Sequence, residues 1–143
     1  MKRAEELTTL SREHHESLKL AKQCLDTLAK GDAQRIEALC RKIADSFDAT
    51  WDRHFRNEEA TIFDITATLD GRIRELGEQL LAEHERMREL AKQMKAGDCS
   101  KLREFGELLR DHTRLEEREL FPLVETRFTP EQMARIARHT AGG

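Results

Sequence analysis

Two stretches of the sequence place a histidine four residues before a pair of glutamates: His54-Phe-Arg-Asn-Glu58-Glu59 and His112-Thr-Arg-Leu-Glu116-Glu117. On an α-helix that spacing sets imidazole and carboxylate on one face, roughly 6 Å apart along the axis. Nitrogen and oxygen donors of this kind suit iron or manganese, whereas a thiolate zinc or iron–sulfur site would need cysteines placed beside them. Iron is the first choice on ligand type. Two further histidines, His14 and His84, stand alone in sequence and gain meaning only from the helices that carry them.

Those helices are legible from apolar periodicity. Leu7, Leu10, Leu18, Ala21, Leu25 and Leu28 recur at three and four residues and define a first helix with one buried stripe. Lys30-Gly31-Asp32 ends it, glycine supplying a left-handed residue and aspartate a cap for the next helix. The second helix carries Ile36, Leu39, Cys40, Ile43, Phe47 and Trp51, and the segment from about Phe63 to Gly71 reads as the link between two halves. A third helix runs through Ile73, Leu76, Leu80, Met87, Ala91 and Met94 to a second Gly-Asp junction at Gly97-Asp98. The fourth carries Leu102, Phe105, Leu109, Leu120 and Leu123. Thr129-Pro130-Glu131-Gln132 then has the cap, N1 proline and N3 glutamine of a short last helix over about residues 130–138. The expected fold class is all-α: an up-down-up-down four-helix bundle over about residues 5–128 with a short fifth helix, one domain in 143 residues.

At about 100° per residue, His14 falls at the centre of the first stripe and His15 at its edge. His54 and Glu58 fall within the second stripe, His84 within the third, and His112 and Glu116 on or beside the fourth. A single inward histidine is an ordinary core residue satisfied by one hydrogen bond. One from each of four helices, joined by two carboxylates with no Lys or Arg on the stripes, calls for a cation, because an unpaired buried carboxylate costs several kcal/mol. Glu59 and Glu117, next to the inward glutamates, read as a solvated face, with orientation of the ligands as the other possibility. His139 reads as surface.

Composition removes other classes of function. Formal charge is −3, with 25 Lys and Arg interleaved among 28 Asp and Glu, so no one-signed field invites nucleic acid or anionic lipid. There is no apolar run long enough to cross a bilayer and no signal-like segment in MKRAEELTTL, so a cytoplasmic location is expected. Three widely spaced cysteines, Cys24, Cys40 and Cys99, indicate neither a disulfide framework nor a zinc knuckle and read as small buried hydrophobes. None of the six histidines follows a Glu by three residues, so the Glu-x-x-His pattern of ferritin-like bundles is missing. No zincin signature, phosphate loop or serine elbow is present.

With these residues in place, the sequence resembles the hemerythrin-like, or HHE cation-binding, domains. Leu10-Ser-Arg-Glu-His14 is similar to the family's first-helix ligand motif, His54-Phe-Arg-Asn-Glu58-Glu59 to its H-F-x-x-E-E, and the run from His112 through Glu116-Glu117 to Leu120-Phe121-Pro122 to its H-x-x-x-E-E-x-x-L-F-P. His84 matches the third-helix ligand. The resemblance spans about residues 5–128 and implies a di-iron centre, with Glu58 and Glu116 bridging two non-haem irons and His14, His54, His84 and His112 as terminal ligands.

Two departures separate the chain from oxygen-carrying hemerythrins. Those proteins have a second histidine one turn from the first on the third helix, where this chain has Leu80 and Arg88. They also use an Asp five residues after the last-helix histidine, where this chain has Glu116 at four. Counting donors, an oxo or hydroxo bridge added to this set leaves up to about two positions open on a pair of six-coordinate irons. His15 could share the ligand role or fill the missing histidine's place. The expectation is a protein that binds or senses oxygen, nitric oxide or peroxide, more a metal-binding sensor than an enzyme, with no nucleic-acid or membrane partner. A di-iron redox enzyme, or an iron donor in iron–sulfur cluster repair, is the alternative reading. A metal-free interaction module would leave the buried polar interior without a stabilising partner.

Overall fold

Glycine and aspartate set the chain's direction changes. Gly31 adopts φ 71° and returns its N–H to Leu28, and Asp32 then accepts from the N–H groups of Gln34 and Arg35 at 3.0 and 3.3 Å. Gly97, at φ 105°, and Asp98, which accepts from Ser100 N, repeat the device sixty-odd residues on. The computed structural model describes residues 2–141. Between the turns run α1 (Thr8–Lys30), α2 (residues 33–66), α3 (Arg72–Lys95) and α4 (residues 102–127), followed by α5 (Pro130–Ala141). No strand occurs among the described residues, and no helix among them is long and apolar enough to cross a membrane.

The helix α2 continues into the segment from about Phe63 to Gly71 expected to be a connection, stopping at Thr66 and leaving residues 67–71 as the link. It does so by loosening its coil twice: π-helical turns occupy Asp48–Asp52 and Glu59–Phe63. A matching π-turn lies in α4 at Glu116–Leu120. The expected cap of the last helix forms reciprocally, Thr129 N–H donating to the Gln132 side chain and Gln132 N–H to Thr129 Oγ1. That helix extends to Ala141, three residues past the expected end.

Packing closes a ring of neighbours, with α1 against α4, α4 against α3, α3 against α2 and α2 against α1. The α5 helix lies over the amino-terminal turn Glu5–Leu7 and the second π-turn of α2. The apolar interior divides into two clusters. One contains Phe47, Phe55, Met87, Leu90, Phe105 and Leu109; the other contains Leu10, Ile62, Leu80, Leu120, Phe121 and Ile136. Along every long helix the inward polar residues sit where one cluster gives way to the other, so a polar layer crosses the bundle between two apolar halves.

The cysteine expectation is corrected. Cys40, on α2, and Cys99, in the α3–α4 connection, form a disulfide with Cα atoms 5.7 Å apart across a sequence separation of 59. Antiparallel-style turns bring together positions whose spacing in sequence carries no hint of pairing. Cys24 alone behaves as expected, fully buried, with burial pushing its thiol up to about 12.

Candidate metal centre

Each long helix supplies one histidine to the polar layer. His14 on α1, His54 on α2, His84 on α3 and His112 on α4 are at most 4% exposed, and Glu58 and Glu116 are 0% exposed. Their donor atoms fall into two groups, His14, His54, Glu58 and Glu116, and Glu58, His84, His112 and Glu116; the atoms of each lie within 4.8 Å of one another. Glu58 and Glu116 belong to both. All six side chains singled out from the sequence therefore meet in one place, while His15 and His139 are exposed.

The shared glutamates sit between the groups. Glu58 Oε2 is 3.2 Å from His14 Nε2 and 3.5 Å from His54 Nε2, while its other oxygen, Oε1, is 3.1 Å from His84 Nε2. Glu116 Oε1 lies 3.1 Å from His14 Nε2 and 3.2 Å from His112 Nε2. Despite that proximity, His112 Nε2 and both oxygens of Glu116 make no hydrogen bond. Buried, crowded and undirected polar atoms cost roughly 1–3 kcal/mol each unless something else satisfies them. Glu58 is within hydrogen-bonding reach of His14 Nε2 and His84 Nε2, but around Glu116 imidazole and carboxylate converge without hydrogen-bond geometry, an arrangement that fits a hard or borderline cation.

A second set of carboxylates turns the imidazoles inward. His14 Nδ1 donates to Glu117 at 2.6 Å, His54 Nδ1 to Glu13 at 2.8 Å, His84 Nδ1 to Glu59 at 2.8 Å and His112 Nδ1 to Glu83 at 2.8 Å. An ionised carboxylate only accepts, so Nδ1 carries the proton and Nε2 is the atom aimed at the layer. Glu59 and Glu117 are therefore not merely solvated: at 24% and 26% side-chain exposure they stand half-buried with one oxygen on a histidine. Sequence reasoning passed over Glu13 and Glu83. The signal available was the repeated Glu-His dipeptide, Glu13-His14 and Glu83-His84, matching the repeated Glu-Glu dipeptides, although each glutamate serves the histidine of a neighbouring helix rather than its own.

The carboxylates around the layer favour protonated imidazoles. Burial pulls His14 down, but Glu116, Glu117 and Glu58 outweigh it and hold the imidazole well above its ordinary value. Burial likewise opposes charge on His54 and His112, yet Glu58 and Glu13 raise the first to about 9, and Glu116, Glu83 and Glu58 raise the second to about 9. Burial pushes Glu58 up, and the surrounding His54, His14 and His84 reverse that and hold it well below the usual carboxylate range.

The backbone helps to aim the carboxylates. The π-turns at Glu59–Phe63 and Glu116–Leu120 begin at or just beyond the two shared glutamates. Such turns add a residue to the coil and rotate the helix beyond them, and they recur at functional sites. Of the positions one turn from His84, Arg88 turns outward to Asp52 and Glu59, whereas Leu80 is fully buried in an apolar cluster.

This fold and site define a class of all-helical protein that gathers metal cations on histidine and glutamate inside a bundle. The chain belongs to the hemerythrin HHE cation-binding domain family, whose model matches residues 5–124. Searches of curated proteins and of solved structures give no match.

Proposed function

We propose that the chain is a non-haem di-iron protein that binds or senses a small oxidant or diatomic ligand, oxygen, nitric oxide or peroxide, within an up-down-up-down four-helix bundle. The observation that carries this reading is the sharing of Glu58 and Glu116 by two groups of donors. On this reading His14 and His54 would hold one iron and His84 and His112 the other, with Glu58 and Glu116 available to both. Iron supplies reversible one-electron chemistry and exchangeable positions for small ligands.

The chain's own residues fix the rest. Glu117, Glu13, Glu59 and Glu83 hold the four rings, which raises ligand basicity and keeps Nε2 directed inward. Apolar clusters on both sides keep bulk water out of the layer. Neither position one turn from His84 offers a donor, Leu80 being buried and apolar and Arg88 turned to Asp52 and Glu59, which favours oxidation and ligand exchange over reversible oxygen storage.

Anaerobic loading with Fe(II), followed by elemental analysis, should give about two irons per chain. Azide added after oxidation should shift the near-ultraviolet and visible bands. One zinc per chain, or no metal after iron-supplemented expression, would refute the reading. Air added to the reduced protein should oxidise it outright; a spectrum that reverses under vacuum would instead indicate an oxygen carrier.

A further inference from the structure

Two arginines touch the carboxylates that hold the donor histidines, at corresponding places. Arg88, on α3, donates from Nη2 to Glu59 Oε1 at 3.1 Å and brings Nη1 within 2.9 Å of Glu59 Oε2. Its guanidinium also lies over the Phe55 ring, 5.9 Å from the centroid. That ring stacks on His84 with centroids 4.0 Å apart and 15° between the planes, and His84 in turn donates to Glu59. Arginine, carboxylate, imidazole and phenyl thus close a loop.

Arg3 repeats the loop on the other half. It donates to the main-chain oxygen of Glu117 at 3.0 Å and to its side chain at 3.4 Å, and its guanidinium lies 5.6 Å from the centre of Phe121. Phe121 stacks on His14 at 5.2 Å and 30°, and His14 donates to Glu117. His54 and His112 have no such brace. Glu83 takes its other side-chain hydrogen bond from Gln79, and no arginine or lysine bonds Glu13 or Glu83 among the described residues.

We propose that Arg3 and Arg88 are positioning residues of the metal centre, each fixing one imidazole, His14 and His84 respectively, through a carboxylate at its edge and a phenyl ring on its face. The contacts at Nδ1 and, with Glu58, at Nε2 fix the two edges of each ring but leave it free to tilt about the line that joins them. The phenyl face removes the tilt, and the guanidinium, planar and multiply bonded, pins both phenyl and carboxylate at once. One braced histidine falls in each donor group, so each arginine governs a different metal position. The inference rests on the dinuclear reading above.

Cobalt(II) titration of the full chain, followed by ligand-field bands and calorimetry, separates the two claims. The parent should take up two Co(II). Arg88→Met, which keeps the aliphatic stem, should weaken one of the two steps on the order of tenfold or more and alter its bands, while the other step stays within about threefold. Arg3→Met should weaken the other step, and the double variant both. Arg88→Lys retains charge beside Glu59 without the flat fork over Phe55; it should show a smaller weakening of the same step, and it carries the test if the methionine variant loses helix. Arg86→Met is the control, because Arg86 makes two hydrogen bonds to Glu104 at 2.6 and 2.7 Å on the exposed surface with no connection to a ligand. It should leave both steps unchanged. Equal losses in Arg86→Met and Arg88→Met, or parental titrations in the Arg3 and Arg88 variants, would overturn the proposal and leave the dinuclear reading standing. A parent that binds fewer than two Co(II) would overturn both.

Discussion

Metal loading should expel protons, and their number can be worked out from the layer. A metal bound at Nε2 must displace the proton that the metal-free site holds there. With His54 and His112 raised to about 9, each is about 97% protonated at about pH 7.5, and His14 is shifted in the same direction. Binding two divalent ions should therefore release at least about two protons near neutral pH. Any hydroxide formed from bound water adds to that count. For His54 and His112 the competition costs the metals about 2 kcal/mol each at that pH, from about 1.5 pH units at about 1.4 kcal/mol per unit. From these two groups the overall affinity should climb by up to about two decades per pH unit between about pH 7 and 8.5, then flatten above about 9. Anaerobic calorimetry in buffers of different ionisation enthalpy counts the protons directly. Release of one proton or fewer at about pH 7.5, or a pH-independent affinity, would show that the imidazoles are neutral before metal arrives and that the charge balance argued for the layer is wrong.

The same raised histidines stabilise the metal-free fold only while protonated. Since the folded value exceeds the unfolded one, their contribution is full below about pH 6.5 and is lost as the pH rises through about 9, so urea unfolding of the metal-free protein should weaken by a few kcal/mol over that window; a level or rising profile would contradict it. Cys99→Ser opens a loop of 59-residue separation and should lower stability by up to about 4 kcal/mol in denaturant under oxidising conditions, with no difference from the parent in excess reductant, the condition of a reducing compartment. Glu83→Gln keeps the shape of the His112 partner but weakens its acceptor. It should reduce metal affinity by about 10–100-fold with little change in melting of the metal-free protein, whereas unchanged affinity would mean that Glu83 is only a surface group.

The sequence allowed the donor set to be read because a helix converts spacing into direction. Once the stripes of the first, second, third and fourth helices were phased, His14, His54, Glu58, His84, His112 and Glu116 had nowhere to point but inward. The Gly31-Asp32 and Gly97-Asp98 turns were equally readable, since both residue types act locally. What stayed hidden depends on distant partners. Glu13 bonds His54 and Glu83 bonds His112 across helix interfaces, so a half-buried edge position looks like any solvated glutamate until the neighbouring helix is placed. For the same reason the sequence favours a solvated face for Glu59 and Glu117 over the orienting role that their bonds to His84 and His14 support. The Cys40–Cys99 bond needed the relative position of α2 and the α3–α4 connection, and the extension of α2 to Thr66 depended on π-turns that carry no residue signature of their own.

The polar layer between two apolar clusters also bears on how the molecule comes apart. Leu10, Leu80 and Leu120 on one side and Phe55, Met87 and Leu109 on the other are continuous within their own clusters but meet only through imidazole and carboxylate. When metals tie the layer, both halves must open together, and amide exchange in them should report one shared free energy. With protons alone in the layer, the halves become separable cooperative units. The half containing Cys40 keeps a covalent tie across the bundle, while the half under α5 relies on packing, so the latter's amides should exchange first. Metal loss would then register as a break in the unity of unfolding, with the secondary structure left intact.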